Sequence, residues 1–313
     1  MPTSELYDLI IVGGGPAGLT AGIYAMRAAM KTVLVEKGLA GGQVNNTDIV
    51  ENWPGLETIS GAALAANFLR HAASYGLPVK AREIVAVEPG LRHHTVRLDN
   101  GEELRAHAII LGMGGSPKKL GVPGEDANYG KGVSYCATCD GFFFRNKEVL
   151  VVGGGDSATE EALYLTKLAT KVTIVHRRDA LRASMILQQR VQAQPKINIL
   201  WNTVITAIRS ENGGVTGAAL QDVITGRQRD LAADGIFIFI GFSPNNQLVP
   251  AGTLMNANGF VASDAKCETN MPGIFVVGDL REKYARQIVT AAGDGCTAAL
   301  AAAHYVENQK TGG

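Results

Sequence analysis

Two glycine-rich turns, each set between an apolar run and a stretch of small helix-forming residues, constrain this chain more than anything else in it. The first, Gly13-Gly14-Gly15-Pro16-Ala17-Gly18, follows Leu6–Val12 and leads into Ala17–Ala29. The second, Gly153-Gly154-Gly155-Asp156-Ser157-Ala158, follows Val149–Val152 and leads into Ser157–Ala169. A further apolar run closes each unit, Thr32–Val35 in one and Val172–Val175 in the other, so both read as strand–helix–strand. The interval from Gly13 to Glu36 is 23 residues, and so is that from Gly153 to His176. Two units in register read as an internal duplication. Such a unit lays its helix on a parallel sheet, which sets the class as α/β.

Each unit also has a matching terminal strand. Ala108–Leu111 runs into Gly112-Met113-Gly114-Gly115-Ser116-Pro117, and Gly235–Ile240 into Gly241-Phe242-Ser243-Pro244. Glycine and proline end regular structure at both places. The expected fold is therefore two Rossmann-like dinucleotide-binding domains, the second inserted in the first. Residues 1–116 and 246–313 form one domain and 117–245 the other, with crossings near 115–120 and 241–247.

The turns carry chemistry through their spacing. In Gly13-x-Gly15-x-x-Gly18 the glycines permit a tight turn, close approach of a pyrophosphate, and helix–strand packing. Backbone N–H groups and the helix dipole stabilise the phosphate charge. Glu36, at the end of the next strand, can accept from both hydroxyls of an unmodified adenosine ribose. A glycine turn that binds nothing is the bland alternative, and the complete context argues against it. Gly153-x-Gly155-x-x-Ala158 repeats the turn with a permitted alanine. Where the first unit has Glu36, the second has His176, followed by Arg177, Arg178 and Arg182. A carboxylate there would repel a 2′-phosphate, whereas guanidinium groups bind it. The first turn is thus expected to hold FAD and the second NADPH. A solvated basic helix start is the alternative at 176–182, and the matching register weighs against it.

Between the two turns stands Cys136-Ala137-Thr138-Cys139-Asp140. A zinc knuckle would need a second ligand pair, which Cys267, Cys296 and the scattered histidines do not supply. A chance pair of buried thiols would not need Asp140. A redox dithiol needs an attacking thiolate, a shielded sulfur and a proton-transfer group, and that reading fits best. Asp140 also suits a turn or helix start. Phe142-Phe143-Phe144 is most simply core, though aromatics beside a reactive thiol can form an apolar docking patch.

Composition narrows the rest. The chain has 313 residues, 46% hydrophobic and 19% charged, which suits about two globular domains. With 29 basic and 29 acidic residues and no Lys/Arg block, nothing recruits nucleic acid or an anionic membrane. Leu9–Met26 lacks charge, but its glycines and Pro16 favour strand–turn–helix over a membrane helix. Glu5 and Asp8 occupy the place of a basic signal-peptide region. The expected protein is soluble and cytoplasmic, without a metal site.

Together these marks resemble the low-molecular-weight, NADPH-dependent thioredoxin reductases, over nearly the whole length. The marks are GGGPAG at 13–18, GGQ at 41–43, ENWPG at 51–55, CATCDGFF at 136–143, GGGDSA at 153–158, HRR at 176–178, GD at 278–279 and RQ at 286–287. The resemblance implies an oxidoreductase, a thioredoxin-disulfide reductase acting as a homodimer. It implies a flavin site of Gly13, Gly15, Pro16, Ala17, Gly18, Glu36, Lys37, Gly41, Gly42, Gln43 and Asn52. Gly278, Asp279, Arg286, Gln287 and Ile288 would hold the rest of the FAD. Gly153, Gly155, Asp156, Ser157, Ala158, His176, Arg177, Arg178 and Arg182 would hold NADPH. Cys139 would face the flavin, Asp140 would be the acid/base, and Cys136 would exchange with thioredoxin. Lys131, Phe142 and Phe143 would meet that partner. Two positions depart from the family: Met113 stands where Thr is usual, and Lys131 where Arg is common.

The dithiol and the NADPH turn lie on the same inserted domain, yet each must serve one flavin. The expectation is a swing of that domain about the crossings. A flavin-binding redox sensor is the alternative of a different class. It would take one equivalent of reduction and stop.

Overall fold

The computed structural model describes residues 5–47 and 49–311. The chain divides into two compact units. One holds the residues up to Thr47, Trp53–Ser116 and those from Ser243 onward; the other holds Pro117–Phe242, with the short strand Ile49–Val50 grouped to it.

In the first unit Leu6–Val12 lies between Thr32–Glu36 and Glu103–Leu111 and runs parallel to both, with Ile11 opposite Leu34 and Ile110. Val79–Ala81 extends this sheet beyond Thr32–Glu36. Ile274–Val276 joins Glu103–Leu111 in parallel, placing Phe275 opposite Ile110. His94–Leu98 and Ile84–Glu88 complete the sheet as antiparallel strands. Leu9, Ile10 and Ile11 are wholly buried. That is why Leu9–Val12 is a continuous apolar run and not an alternating one.

The first helix, Pro16–Arg27, starts on a proline, whose missing N–H costs nothing there. It ends before Ala29, which takes a left-handed conformation with φ 56° and so stops the expected run short. This helix packs on the C-terminal helix Ile288–Thr311. Their backbones approach closely at Gly295, where a Cβ would run into the Ala17 carbonyl oxygen. Gly18 is restricted in the same way by the Gly13 carbonyl oxygen.

The second unit repeats the plan with strands Val133–Ser134, Gly235–Phe239, Glu148–Gly153, Lys171–Val175 and Ile197–Leu200, all parallel and in that order. Val149 and Val151 pack on one face with Ile174 and Phe237. Leu150 and Val152 pack on the other with Ile236 and Ile238. Alternate side chains serve opposite layers, as a strand buried on both faces requires.

The helix after the second turn is Asp156–Leu165, shorter than the expected Ser157–Ala169. Its last turn tightens: Thr166 Oγ1 donates to the Leu163 carbonyl, and Lys196 Nζ caps the Thr166 and Ala169 carbonyls at 2.8 and 2.9 Å. The unit also has an antiparallel sheet of Thr203–Glu211, Gly214–Asp222 and Gln228–Ala232, to which the sequence reading assigned nothing. Register shifts after Ile205 and Arg209 break its two-residue alternation, which hides the strands from a periodicity search.

Candidate redox and dinucleotide sites

The carboxyl ends of both central strands open into the glycine turns, the usual place for a ligand in such a sheet. At the first turn, Gly13 takes φ +101° and packs against Gly112, leaving no space for a Cβ. Gly15 has no atom within 4 Å of where a Cβ would stand, and as N-cap it gives the helix no side-chain cap. The N–H groups of the helix start are therefore left to a ligand. Glu36 sits beside them. Its Oε2 accepts from the Gly14 N–H at 2.7 Å and its Oε1 from the Gly38 N–H at 2.8 Å. These bonds fix the carboxylate, and each oxygen keeps lone-pair capacity for a ribose hydroxyl.

The fold brings Gly41–Gln43 to the same place. Gly41 N–H donates to the Gly14 carbonyl at 2.7 Å, a Cβ on Gly42 would lie 3.2 Å from the Gly15 Cα, and Gln43 Nε2 reaches the Gly115 carbonyl at 3.4 Å. Met113 packs against the core, and its carbonyl accepts from Asn245 Nδ2 at 2.9 Å. Lys37 is exposed and pairs with Glu83 at 3.3 Å. Asn52 is exposed and groups with the second unit.

Gly278 and Asp279 form a turn against the start of the first helix; a Cβ on Gly278, with φ +69°, would stand 3.2 Å from that of Ala17. Burial pushes the Asp279 carboxyl upward, against the opposing charges of Lys283 and Arg286. Its Oδ1 is buried with no hydrogen-bond partner among the described residues. A buried acceptor without a donor is costly unless a ligand supplies one, and a polyol chain would. Arg286 stacks over Phe260 with its guanidinium carbon 4.0 Å from the ring centre. Gln287 N–H donates to Thr290 Oγ1 at 3.2 Å, and Ile288 opens the C-terminal helix. The bare turn, the anchored Glu36 and the orphaned Asp279 oxygen together fit FAD.

Sequence reasoning missed the group that holds this turn in place. Asp294, in the C-terminal helix, accepts from Gly278 N–H at 3.0 Å, Arg281 Nη1 at 3.0 Å and Lys283 Nζ at 2.9 Å. A charged residue in an alanine-rich helix was the only available signal.

At the second turn a Cβ on Gly153 would meet the Phe239 carbonyl and Ala158, while Gly155 is again open and uncapped. Asp156 Oδ1 accepts from Ser184 N–H at 2.7 Å, tying the helix start to the loop that follows the next strand. Ser157, the next residue of this helix, is exposed. His176 is buried beneath Gly154, its two ring nitrogens each 2.9 Å from a carbonyl oxygen, of Gly153 and of Ala180. It braces the turn from below. Arg182 N–H donates to the Gly154 carbonyl at 2.7 Å, which folds the arginine loop onto the same turn. Arg177, Arg178 and Arg182 are exposed, and none forms an ion pair among the described residues.

Cys136 and Cys139 are joined as a disulfide, their Cα atoms 5.3 Å apart, across the one-turn helix Ala137–Asp140. Both are half-buried. Ser134 Oγ donates to Asp140 Oδ2 at 2.6 Å, and Cys136 N–H donates to Ser134 Oγ at 3.0 Å. Beside this loop, Glu125 is a buried carboxylate that accepts from Leu120 N–H, Gly121 N–H and Tyr135 Oη at 2.9, 2.7 and 2.8 Å. It therefore anchors the first crossing to the segment before Cys136. Neither Ser134 nor Glu125 was legible from motifs. Of the aromatics, Phe144 is core against Phe237, Phe143 is half-buried, and Phe142 is exposed with Arg145 over its ring. Lys131 is exposed as well.

The two other cysteines are not joined. Burial pushes the Cys267 thiol up to about 11. A thiol kept protonated is a poor nucleophile. In reduced native protein, iodoacetamide at mildly alkaline pH is expected to label Cys136 and leave Cys267 unmodified until denaturant is added. Peptide mass mapping checks this, and rapid native labelling of Cys267 would contradict its burial.

The chain is similar in sequence and fold to known proteins. The model of the pyridine nucleotide-disulphide oxidoreductase family matches residues 7–295. The thioredoxin reductase of Bacillus subtilis is 46% identical over 307 residues, covering 98% of this chain and 97% of that one. That of Treponema pallidum is 43% identical over 303 residues, covering 96% and 97%. The crystal structure of thioredoxin reductase from Streptococcus pyogenes superposes with a TM-score of 0.95 at 40% identity, covering 98% of this chain and all of that one. By sequence over nearly its full length, and by fold, the chain belongs to the pyridine nucleotide-disulphide oxidoreductases, among the thioredoxin reductases.

Proposed function

We propose that this protein is an NADPH-dependent thioredoxin-disulfide reductase that works through FAD and the Cys136–Cys139 pair. The observation that carries the reading is a closed disulfide beside a fixed carboxylate, in a chain with two dinucleotide turns of opposite charge preference. The Gly13–Gly18 turn, Glu36 and Asp279 hold the flavin; the Gly153–Ala158 turn and the three arginines hold NADPH. When bound, the flavin supplies the two-electron chemistry that links a nicotinamide hydride to thiols.

The protein's own residues do the rest. Two electrons enter the Cys136–Cys139 bond at Cys139; the bond breaks, and Asp140 takes a proton from solvent and becomes the local acid. The Cys136 thiolate then bonds to one sulfur of the thioredoxin disulfide, whose other sulfur leaves and takes the proton from Asp140. Cys139 attacks Cys136, closing the disulfide again and releasing the second thioredoxin sulfur, which is protonated by solvent. Phe142 and Lys131 offer an exposed apolar and a cationic contact for the partner.

Because the dithiol and the arginine loop lie on one unit, the reading includes a swing about the crossings. Gly115–Pro117 and Phe242–Pro244 pair with each other as a two-stranded ribbon, so both crossings can bend together. An engineered cross-link between the units is expected to stop turnover and spare flavin binding; full turnover in the locked protein would remove the swing.

Among the described residues no helix is long and apolar enough to cross a membrane. Placement in the cytoplasm suits a dithiol that must be kept reducible. Homodimer assembly belongs to the same reading and is checked by sedimentation equilibrium. The decisive experiment is steady-state oxidation of NADPH with thioredoxin and a disulfide dye. A redox sensor would consume one equivalent and stop.

A further inference from the structure

We infer that Ser134 is a positioning residue for the exchange, holding the Asp140 carboxyl in place relative to the Cys136 backbone. The inference rests on the reading of Asp140 as acid/base. Ser134 is 2% exposed and closes the short strand Val133–Ser134, where it pairs in register with the wholly buried Phe237 of the strand Gly235–Phe239. Its backbone is therefore fixed by the sheet, whereas Cys136 and Asp140 sit on a single helical turn beyond the sheet's end. One hydroxyl joins the two. It accepts from Cys136 N–H at 3.0 Å, in a turn typical of serine, and it has one proton to give. The two acceptors within reach are Asp140 Oδ2 at 2.6 Å and the Cys136 carbonyl at 3.2 Å. The shorter contact goes to the charged group and takes the proton. The result is a relay of position: sheet to Ser134, and Ser134 to both the acid/base and the exchanging cysteine. All three residues lie in one unit, so the arrangement travels with the dithiol.

Among the described residues the Tyr129 phenol couples to Asp140 from outside this turn; burial, and then the Asp140 carboxylate, raise it above its ordinary range. It stays protonated through the working range. In the step itself Ser134 neither gains nor loses a proton. It keeps its hydrogen bond to the oxygen of Asp140 that does not carry the transferred proton.

The test uses the flavin-loaded enzyme and four proteins: wild type, Ser134→Ala, Ser134→Thr and Asp140→Asn. Ser134→Ala is expected to lower kcat for thioredoxin reduction about ten- to a hundredfold, the range for losing a hydrogen bond to a charged group. KM for NADPH, and NADPH-driven reduction of ferricyanide, which bypasses the dithiol, should not change. Without the donor the carboxylate is less favoured, so the pH profile of kcat should move to higher pH. Ser134→Thr, which restores a hydroxyl, should recover both rate and profile. Wild-type turnover and profile in Ser134→Ala, with a large loss in Asp140→Asn, would overturn the inference and leave the acid/base reading standing. Full turnover in Asp140→Asn as well would overturn both. Loss of ferricyanide reduction in Ser134→Ala together with thioredoxin reduction would assign Ser134 to folding and likewise overturn the inference.

Discussion

Replacing Cys136 or Cys139 with serine will stop thioredoxin reduction and leave ferricyanide reduction by NADPH intact. The expected loss is at least about a thousandfold in kcat, the order found when a nucleophile is removed. The two variants should differ in what they retain. With Cys139 alone, the sulfur at which electrons enter remains, but nothing can attack the partner. With Cys136 alone, the attacking sulfur remains and should hold thioredoxin as a mixed disulfide, because Cys139 is no longer there to resolve it and only the thioredoxin sulfur just released can reverse the step. Non-reducing gels with purified thioredoxin distinguish the two. Undiminished turnover in either variant would end the reading of this disulfide as the exchange site, whatever the family of the chain. The prediction depends on the pair being bonded to each other across one helical turn, with both sulfurs half-buried.

The second large effect concerns the choice of nicotinamide. Arg177→Ala with Arg178→Ala is expected to weaken NADPH and spare NADH. Each charged hydrogen bond is worth about 1.5–3 kcal/mol, so two together amount to about two to four orders of magnitude. Both side chains are exposed, however, and salt screens such contacts. An effect near a hundredfold on kcat/KM for NADPH is therefore the better expectation, and it should shrink as ionic strength rises. His176 should behave differently. Its ring is occupied on both sides by carbonyl oxygens under Gly154, so replacing it should loosen the turn and weaken NADPH and NADH alike. Parallel titrations with the two nucleotides check both statements. Equal losses in the arginine variant would sink the assignment of the phosphate.

Both predictions rest on features legible in the sequence. Gly13, Gly18 and Gly153 could be read directly because each stands where a Cβ would strike backbone or a packed side chain, a constraint expressed as a fixed local spacing. The positions of Glu36 and the arginines relative to the turns could be read because strand length sets the distance from a turn to the end of the next strand. Element ends were less legible. Ala29 looked helical and is left-handed, and the helix expected to run to Ala169 stops at Leu165, where a lysine thirty residues away caps it. The bulged sheet from Thr203 to Ala232 escaped notice because its alternation is interrupted.

What the chain determined by itself is therefore the set of features written in neighbouring residues: the two turns, the acid and the arginines placed after them, the paired cysteines and the class of fold. Tertiary structure alone decided which polar groups hold them. Asp294 grips Gly278 and Lys283 from a separate helix, Glu125 gathers the first crossing and Tyr135, and Ser134 ties Asp140 to a sheet. The reason is physical. A backbone turn is a local steric condition that a short motif can state, whereas a buried carboxylate finds its donors only after distant segments have packed and excluded water.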